Sequence, residues 1–244
     1  MHIDVLFSGM SGRTSRGFLG WSSCVLLRRD GCPAVLFDTA GFNERAVLLD
    51  ELAKRGVRPE DIGTVIISHF HFDHAANYGM FKGADCYLHE LEVQHILNAH
   101  ARDLAVPSEM FPVLRSSGRL RVLSGGTGTV EGFRWVHTPG HTPGLISLFL
   151  EYAGERWVLA SDAVKNQREL ATGMAGMTED AAASASSIET IKAYADVVVP
   201  GHDGLQRVER TNGEIRVHTM TQTRVDVTLD PSAPAESRTI ALES

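Results

Sequence analysis

Residues 68–74 constrain this chain most, because they place three imidazoles and a carboxylate on one short loop. The segment reads Ser-His-Phe-His-Phe-Asp-His and directly follows the apolar run 64–67, which we predict to be a strand. Residues two apart in an extended chain point the same way, so His69 and His71 can bind one metal ion. Asp73 and His74, one step further round the turn, can face a second ion.

The donor types narrow the choice of metal. Imidazole and carboxylate donors without cysteine suit zinc, iron or manganese, and imidazole favours middle to late first-row ions over magnesium or calcium. Zinc is our first expectation, with iron or manganese as alternatives. A purely structural role for this cluster is much the weaker interpretation.

Three further candidate ligands lie where apolar runs end. His141 lies in Thr-Pro-Gly-His-Thr-Pro-Gly at 138–144, Asp162 follows the run 157–161, and His202 follows the run 196–201. Strand-end loops are where a rigid sheet best presents ligands to a shared site.

With these residues in view, the chain resembles the metallo-β-lactamase fold superfamily of metallohydrolases over most of its length. The resemblance implies one ligand set for a first metal ion and another for a second: His69, His71 and His141, then Asp73, His74 and His202. It also implies that Asp162 and a water or hydroxide bridge two zinc ions. Residues 37–41, Phe-Asp-Thr-Ala-Gly, resemble the family's first motif, in which Asp38 orients the metal-binding loop.

The fold class implied by the resemblance is α/β, an αββα sandwich in which outer helices cover two central sheets. Periodicity alone favours α/β or α+β. It predicts strands at 3–7, 24–28, 34–38, 64–68, 120–123, 133–136, 146–150 and 157–160. It predicts helices from an Asn43 cap to Gly56, over 90–100, and from a Thr178 cap to about Tyr194.

Composition and length fit one compact domain over residues 1–230, with a loose or partner-bound tail at 231–244. At 244 residues, of which 43% are hydrophobic, the chain can bury a sizeable core. Alternating runs at 214–219 and 224–229 predict a terminal hairpin. That hairpin and the tail are a natural place for a homodimer contact.

Charge and hydropathy bear on partners and location. The formal net charge of −7 argues against nucleic acid or an anionic membrane as partner, because phosphate binding depends on clustered Lys and Arg. A small-molecule substrate is the expectation. The three cysteines show no spacing typical of disulfide pairs, which suits a reducing compartment. Neither a signal peptide nor a membrane-spanning stretch is recognisable, so we expect a cytoplasmic protein.

Two bridged metal ions imply hydrolysis by a metal-bound hydroxide, with Asp73 assisting proton transfer. Residues 66–74 and 138–151 are similar to acyl-homoserine lactonases, and the wider likeness extends to glyoxalase II, so a small-molecule lactone or thioester is the expected substrate. Those lactonases carry a tyrosine three residues after the bridging aspartate, where this chain has Lys165. Lys165 is therefore predicted to offer a cation to a substrate anion or developing oxyanion. Arg168 and the pair Arg13 and Arg16 are weaker candidates for the same role.

Two other activities stay open at this point. A mononuclear iron persulfide dioxygenase-like oxidoreductase uses the same fold, and residues 194–202 also resemble a metal-dependent nuclease or phosphodiesterase branch. The loop 101–120 is expected to shape the pocket, with Pro107, Met110, Phe111 and Pro112 as an apolar wall.

Overall fold

The computed structural model describes residues 1–15, 17–18, 20–98, 103–222, 224–228 and 237–241. In chain order its strands are β1 (His2–Phe7), β2 (Arg13–Thr14), β3 (Gly17–Phe18), β4 (Cys24–Arg28), β5 (Ala34–Phe37), β6 (Ile62–Ile66), β7 (Asp85–His89), β8 (Leu120–Leu123), β9 (Thr127–Val130), β10 (Phe133–His137), β11 (Ile146–Tyr152), β12 (Glu155–Ser161), β13 (Val197–Pro200), β14 (Gln206–Thr211), β15 (Glu214–Thr219), β16 (Arg224–Thr228) and β17 (Ser237–Ala241). Its helices are α1 (Arg45–Lys54), α2 (Phe72–Ala75), α3 (Glu90–Asn98), α4 (Phe111–Ser116), α5 (Gln167–Thr172) and α6 (Ala181–Tyr194).

Two mixed sheets form the centre of the molecule. The first has the order β1-β4-β5-β6-β7-β8, and the second has the order β15-β14-β13-β12-β11-β10-β9. Parallel pairing is confined to β5 through β8 in the first sheet and to β12 with β13 in the second. Antiparallel neighbours complete both sheets, as expected for strands joined by short turns.

Side chains alternate across each sheet, and this alternation creates three apolar layers. In β4, Cys24 and Leu26 pack into the layer beneath α1, α3 and α4, whereas Val25 and Leu27 face the other sheet. In the second sheet, Leu159 faces the centre, while its neighbours pack against α5 and α6. The architecture is therefore the α/β, αββα sandwich of the metallo-β-lactamase fold.

The parallel strands place the functional loops. Phe37 at the end of β5 pairs with Ile66 at the end of β6, and Ser161 at the end of β12 pairs with Pro200 at the end of β13. Loops that leave the carboxyl ends of adjacent parallel strands emerge side by side. The candidate ligands that follow these strands are consequently brought to one edge of the sandwich.

Several sequence predictions need correction. Strand β15 pairs with β14, not with β16 as the predicted hairpin required, and β16 pairs instead with β17, which lies inside the predicted tail segment. The predicted boundary between residues 230 and 231 falls outside the described residues. Helices α4 and α5 were not predicted, because neither is longer than six residues and neither shows a full amphipathic repeat.

Two helix starts also differ from prediction. Helix α6 is capped by Asp180, whose carboxylate accepts from the backbone N–H groups of Ala182 and Ala183, rather than by Thr178. Helix α1 begins at Arg45 after a 3-10 turn, so Asn43 is not its cap. Within the described part of the chain, no helix is both long and apolar enough to cross a membrane.

Candidate metal centre

The motif loop changes conformation halfway along. His71 is extended, with φ −72° and ψ 152°, and the one-turn helix α2 then begins at Phe72. Asp73 and His74 therefore project from a helical turn, whereas His69 and His71 lie on extended chain. This change of conformation separates the four side chains into two pairs. The sequence indicated a turn between the pairs but did not indicate that the turn is helical.

The first group of donors combines the extended half of this loop with the loop between β10 and β11. His69, His71 and His141 each offer a nitrogen, and these atoms lie within 4.8 Å of one another. His141 Nε2 is 3.1 Å from His71 Nδ1. Two ring nitrogens that approach this closely are arranged as neighbouring ligands of one ion would be.

The second group combines α2 with the loop after β13. Asp73, His74 and His202 also offer atoms within 4.8 Å of one another. His202 Nε2 is 3.5 Å from Asp73 Oδ2, and His74 Nε2 is 3.8 Å from the same oxygen. Imidazole and carboxylate donors at these spacings fit a second ion of the same type.

Asp162 lies between the two groups. One oxygen, Oδ2, is 3.2 Å from His141 Nε2, and the other, Oδ1, is 3.2 Å from both His74 Nε2 and His202 Nε2. This is the position that a bridging carboxylate needs. All seven predicted ligands are therefore brought together at one edge of the sandwich.

Three of these atoms are buried without a hydrogen bond from the described residues: His69 Nε2, His74 Nε2 and Asp162 Oδ1. A buried polar atom left unpaired costs about 1–3 kcal/mol. Three such atoms directed at one another are satisfied together if metal ions lie between them. The donor chemistry and these orphaned atoms fit a pair of divalent transition-metal ions.

The two groups differ in their proton affinity. Burial lowers the pKa of His69 well below its usual range and that of His141 to about 3, so both rings are neutral at pH 7. At His202, burial also lowers the pKa, but Asp162 and Asp73 outweigh it and raise the value to about 9. The same carboxylates, with Asp38, raise the pKa of His74 against its burial.

Hydrogen bonds fix which nitrogen of each ring faces the centre. Asp38 Oδ2 accepts from His74 Nδ1 at 2.9 Å, and Asp38 Oδ1 accepts from the Ser68 backbone N–H at 2.7 Å. His141 Nδ1 donates to the Met177 carbonyl and His202 Nδ1 donates to the Trp21 carbonyl, each at 2.8 Å. Each of these three rings thus turns Nε2 toward the centre.

Asp103 is a site residue that the sequence reasoning missed. Its Oδ2 accepts from His71 Nε2 at 2.8 Å and from His95 Nε2 at 3.1 Å, and its Oδ1 accepts from the Ala105 N–H. Burial raises the pKa of Asp103, but the bonds from both histidines hold it well below its usual range. Asp103 leaves Nδ1 of His71 facing the centre; a lone aspartate in a long loop gave no sequence signal for this role.

A cavity of about 780 Å³ opens over the centre. Apart from the candidate ligands its wall is largely apolar and includes Met10, Phe18, Phe72, Leu104, Ala105 and Met177. Leu104 is 95% exposed and Met177 is 68% exposed, so both stand at the mouth. The predicted wall from loop 101–120 is wrong in its residues: Phe111 belongs to the core, and Asp103, Leu104 and Ala105 line the cavity instead.

The basic side chains that were predicted to face the substrate differ in their position relative to the cavity. Lys165 lines the cavity, is 9% exposed, and has its Nζ 3.3 Å from Glu169 Oε1. It is the one lysine or arginine among the described lining residues. Arg168 is exposed and does not line the cavity, the Arg13 side chain is not described, and Arg16 lies outside the described residues.

Comparison with known proteins identifies the family. The family model of the metallo-beta-lactamase superfamily matches residues 19–202. Metallo-beta-lactamase domain-containing protein 1 of Xenopus laevis is 32% identical over 201 residues, covering 82% of this chain and 78% of the relative. An N-acyl homoserine lactonase of Bacillus thuringiensis is 29% identical over 161 residues, covering 64% of this chain and 62% of the relative.

A solved structure shows the same fold. The dizinc quorum-quenching lactonase AidC, determined in complex with a product, superposes with a TM-score of 0.65 at 19% identity and covers 82% of this chain and 79% of its own. The matched family model spans the motif loop, Asp162 and His202. The chain belongs to the metallo-β-lactamase superfamily.

Proposed function

We propose that this protein is a hydrolase that binds two zinc ions and cleaves a lactone or thioester in a small molecule. The observation that carries the proposal is the position of Asp162 between the two donor groups, where Asp162 Oδ1, His69 Nε2 and His74 Nε2 are buried without a hydrogen bond from the described residues. Iron or manganese would fit the same donors. Bound there, divalent ions supply hydrolytic chemistry by acidifying water and polarising the scissile carbonyl.

Two side chains of the cavity wall would transfer protons and stabilise negative charge. Asp73 lines the cavity and is 7% exposed, so its carboxylate can take a proton from the attacking water and return it to the leaving group. Lys165 brings a buried ammonium group to the same wall, where it can face a substrate anion or the oxyanion of the transition state. Glu169 forms an ion pair with that ammonium group, with Oε1 3.3 Å from Nζ.

The cavity wall favours an acyl-type substrate of modest size. Phe72, Leu104 and Met177 offer apolar surface for a substrate chain. Asp103 and Glu179 add negative charge to the lining, which opposes a polyanion such as nucleic acid. The similarity to an N-acyl homoserine lactonase supports lactone or thioester cleavage over phosphodiester cleavage.

Turnover of a substrate panel tests the bond class. The zinc-loaded protein is assayed with an acyl lactone, an acyl thioester, a β-lactam and a phosphodiester. We expect hydrolysis of the lactone or thioester, lost in Asp162→Ala. Phosphodiester cleavage alone, or oxygen uptake with a persulfide that tracks iron content, would contradict the proposal.

A lysine pair tests the assigned role of Lys165. We expect Lys165→Gln to lower kcat/KM by about 10- to 100-fold, because a bond to a charged group contributes about 1.5–3 kcal/mol. Lys165→Arg should restore part of the loss. Lys192→Gln is the matched control, since Lys192 also pairs with a glutamate, Glu189, but does not line the cavity. Equal effects of Lys165→Gln and Lys192→Gln would show that Lys165 does not act on the substrate.

A further inference from the structure

Glu92 is a completely buried carboxylate close to the metal centre. It lies in the first turn of α3 and is 0% exposed. Burying a carboxylate is costly unless hydrogen bonds replace its water. The hydrogen-bond partners of the Glu92 carboxylate therefore indicate its role.

Both carboxylate oxygens are bonded to loops of the first donor group. Oε1 accepts from the Phe70 backbone N–H at 2.8 Å. Oε2 accepts from the Thr142 hydroxyl at 2.7 Å and from the Gly144 backbone N–H at 3.2 Å. Phe70 belongs to the motif loop, whereas Thr142 and Gly144 belong to the loop between β10 and β11.

These donors are interleaved with the candidate ligands. Phe70 lies between His69 and His71, and Thr142 directly follows His141. One carboxylate thus connects all the backbone that supplies the first group. His74, in the second group, is held separately through Asp38.

Close packing reinforces the connection. A Cβ atom at Gly144 would lie 2.0 Å from the backbone nitrogen of Glu92, so only glycine lets this loop approach α3 so tightly. The three donors, the glycine contact and the first turn of α3 therefore fix the distance between the two loops.

We propose that Glu92 is a positioning residue that sets the spacing of the first metal site and leaves the second site largely unaffected. The inference rests on the proposed metal centre. Glu92 does not line the cavity, so it acts on the site through Phe70, Thr142 and Gly144 and not through the substrate.

Zinc affinity, measured site by site, tests the proposal. Chelator-competition titrations are run on His202→Ala, which keeps the first donor group, and on His71→Ala, which keeps the second, each with and without Glu92→Gln. A glutamine keeps the volume and one accepting oxygen, but its amide NH2 group replaces the other oxygen and cannot accept a hydrogen bond there. We expect zinc affinity to fall about 10- to 100-fold in the His202→Ala background and to change less than twofold in the His71→Ala background.

Amide hydrogen exchange provides a readout that needs no metal. In the zinc-free protein, Glu92→Gln should speed exchange at Phe70 and Gly144 while leaving amides of the central strands unchanged. Thr142→Val, which removes one donor and keeps the shape, should give a smaller change in the same direction and serves if Glu92→Gln does not fold. Asp196→Asn is the control, because Asp196 accepts the Arg156 N–H far from the centre.

The outcomes separate the two proposals. If the unsubstituted protein, here called the parent, binds no zinc, the proposal of a metal centre is wrong. If the parent binds zinc but Glu92→Gln weakens both sites equally, weakens neither, or only matches Asp196→Asn, the positioning role fails and the metal centre stands.

Discussion

The unequal proton affinity of the two donor groups predicts that zinc binding at the second site releases protons, whereas binding at the first releases few. The pKa of His202 in the metal-free fold is about 9, so at pH 7 about 1% of its rings are neutral and ready to bind zinc. His74 carries a raised pKa as well. His69 and His141, by contrast, are already neutral.

The size of the effect follows from the shift. Deprotonating His202 at pH 7 costs about 3 kcal/mol, which lowers the apparent zinc affinity of the second site on the order of 100-fold. Each displaced proton makes the affinity rise about tenfold per pH unit until the pH reaches the pKa. The raised pKa of His74 adds to the pH dependence of the second site, whereas zinc binding at the first site should depend less on pH.

Isothermal titration calorimetry measures the released protons directly. Zinc is titrated into His71→Ala and into His202→Ala at pH 7, each in two buffers of different ionisation enthalpy. We expect His71→Ala, which keeps the second site, to release more protons per zinc. Equal release from the two variants, or greater release from the first site, would refute the electrostatic reasoning.

The same shift sets a pH dependence for the metal-free fold. The folded-state pKa of His202 is raised above the ordinary value of 6.5, so its ion pairs contribute stability that is complete below pH 6.5. That contribution is lost as the pH rises through about 9. The Tm of the metal-free protein should therefore fall over this window, and zinc should remove the dependence.

Three further substitutions test other parts of the account. Asp103→Asn should weaken zinc binding at the first site about 10- to 100-fold in a chelator competition, because the His71 ring loses a charged acceptor; unchanged affinity would rule out that role. Gly201→Ala should reduce bound metal and activity at least about tenfold, because a Cβ there would lie 2.0 Å from Asp162 Oδ1; a fully active variant would contradict the packing. Leu36→Ala should lower the free energy of unfolding by about 2–5 kcal/mol in urea, with activity per folded molecule retained, because Leu36 is fully buried.

Local sequence patterns predicted the strands and helices whose bounds depend on residues that are near one another in the chain. Strand β4 was predicted with its observed bounds, since five consecutive apolar or half-buried residues lie between turn residues. The pairing of β14 with β15 was missed although it is local, because the Asn212-Gly213 turn that joins the two strands, with both residues at positive φ, was not used as a hairpin signal. The cap of α6 was assigned two residues early, because Thr178 and Asp180 both carry capping side chains.

The candidate site divides in the same way. Four of the seven proposed ligands form a motif at 69–74, and the other three were named from their strand-end positions and the family resemblance; the structure brings all seven together. Asp103 and Glu92 could not be named, since each acts through a contact between segments far apart in the chain. The homodimer and the cytoplasmic location stay predictions.

Metal content of the purified protein, measured by mass spectrometry beside hydrolysis in the same sample, tests the central claim most directly. The account predicts two zinc ions per chain, and turnover of a lactone or thioester that disappears with chelation and returns with added zinc. Asp162→Ala should hold less metal and show no turnover. A single iron ion per chain, with oxygen consumed and nothing hydrolysed, would contradict the account.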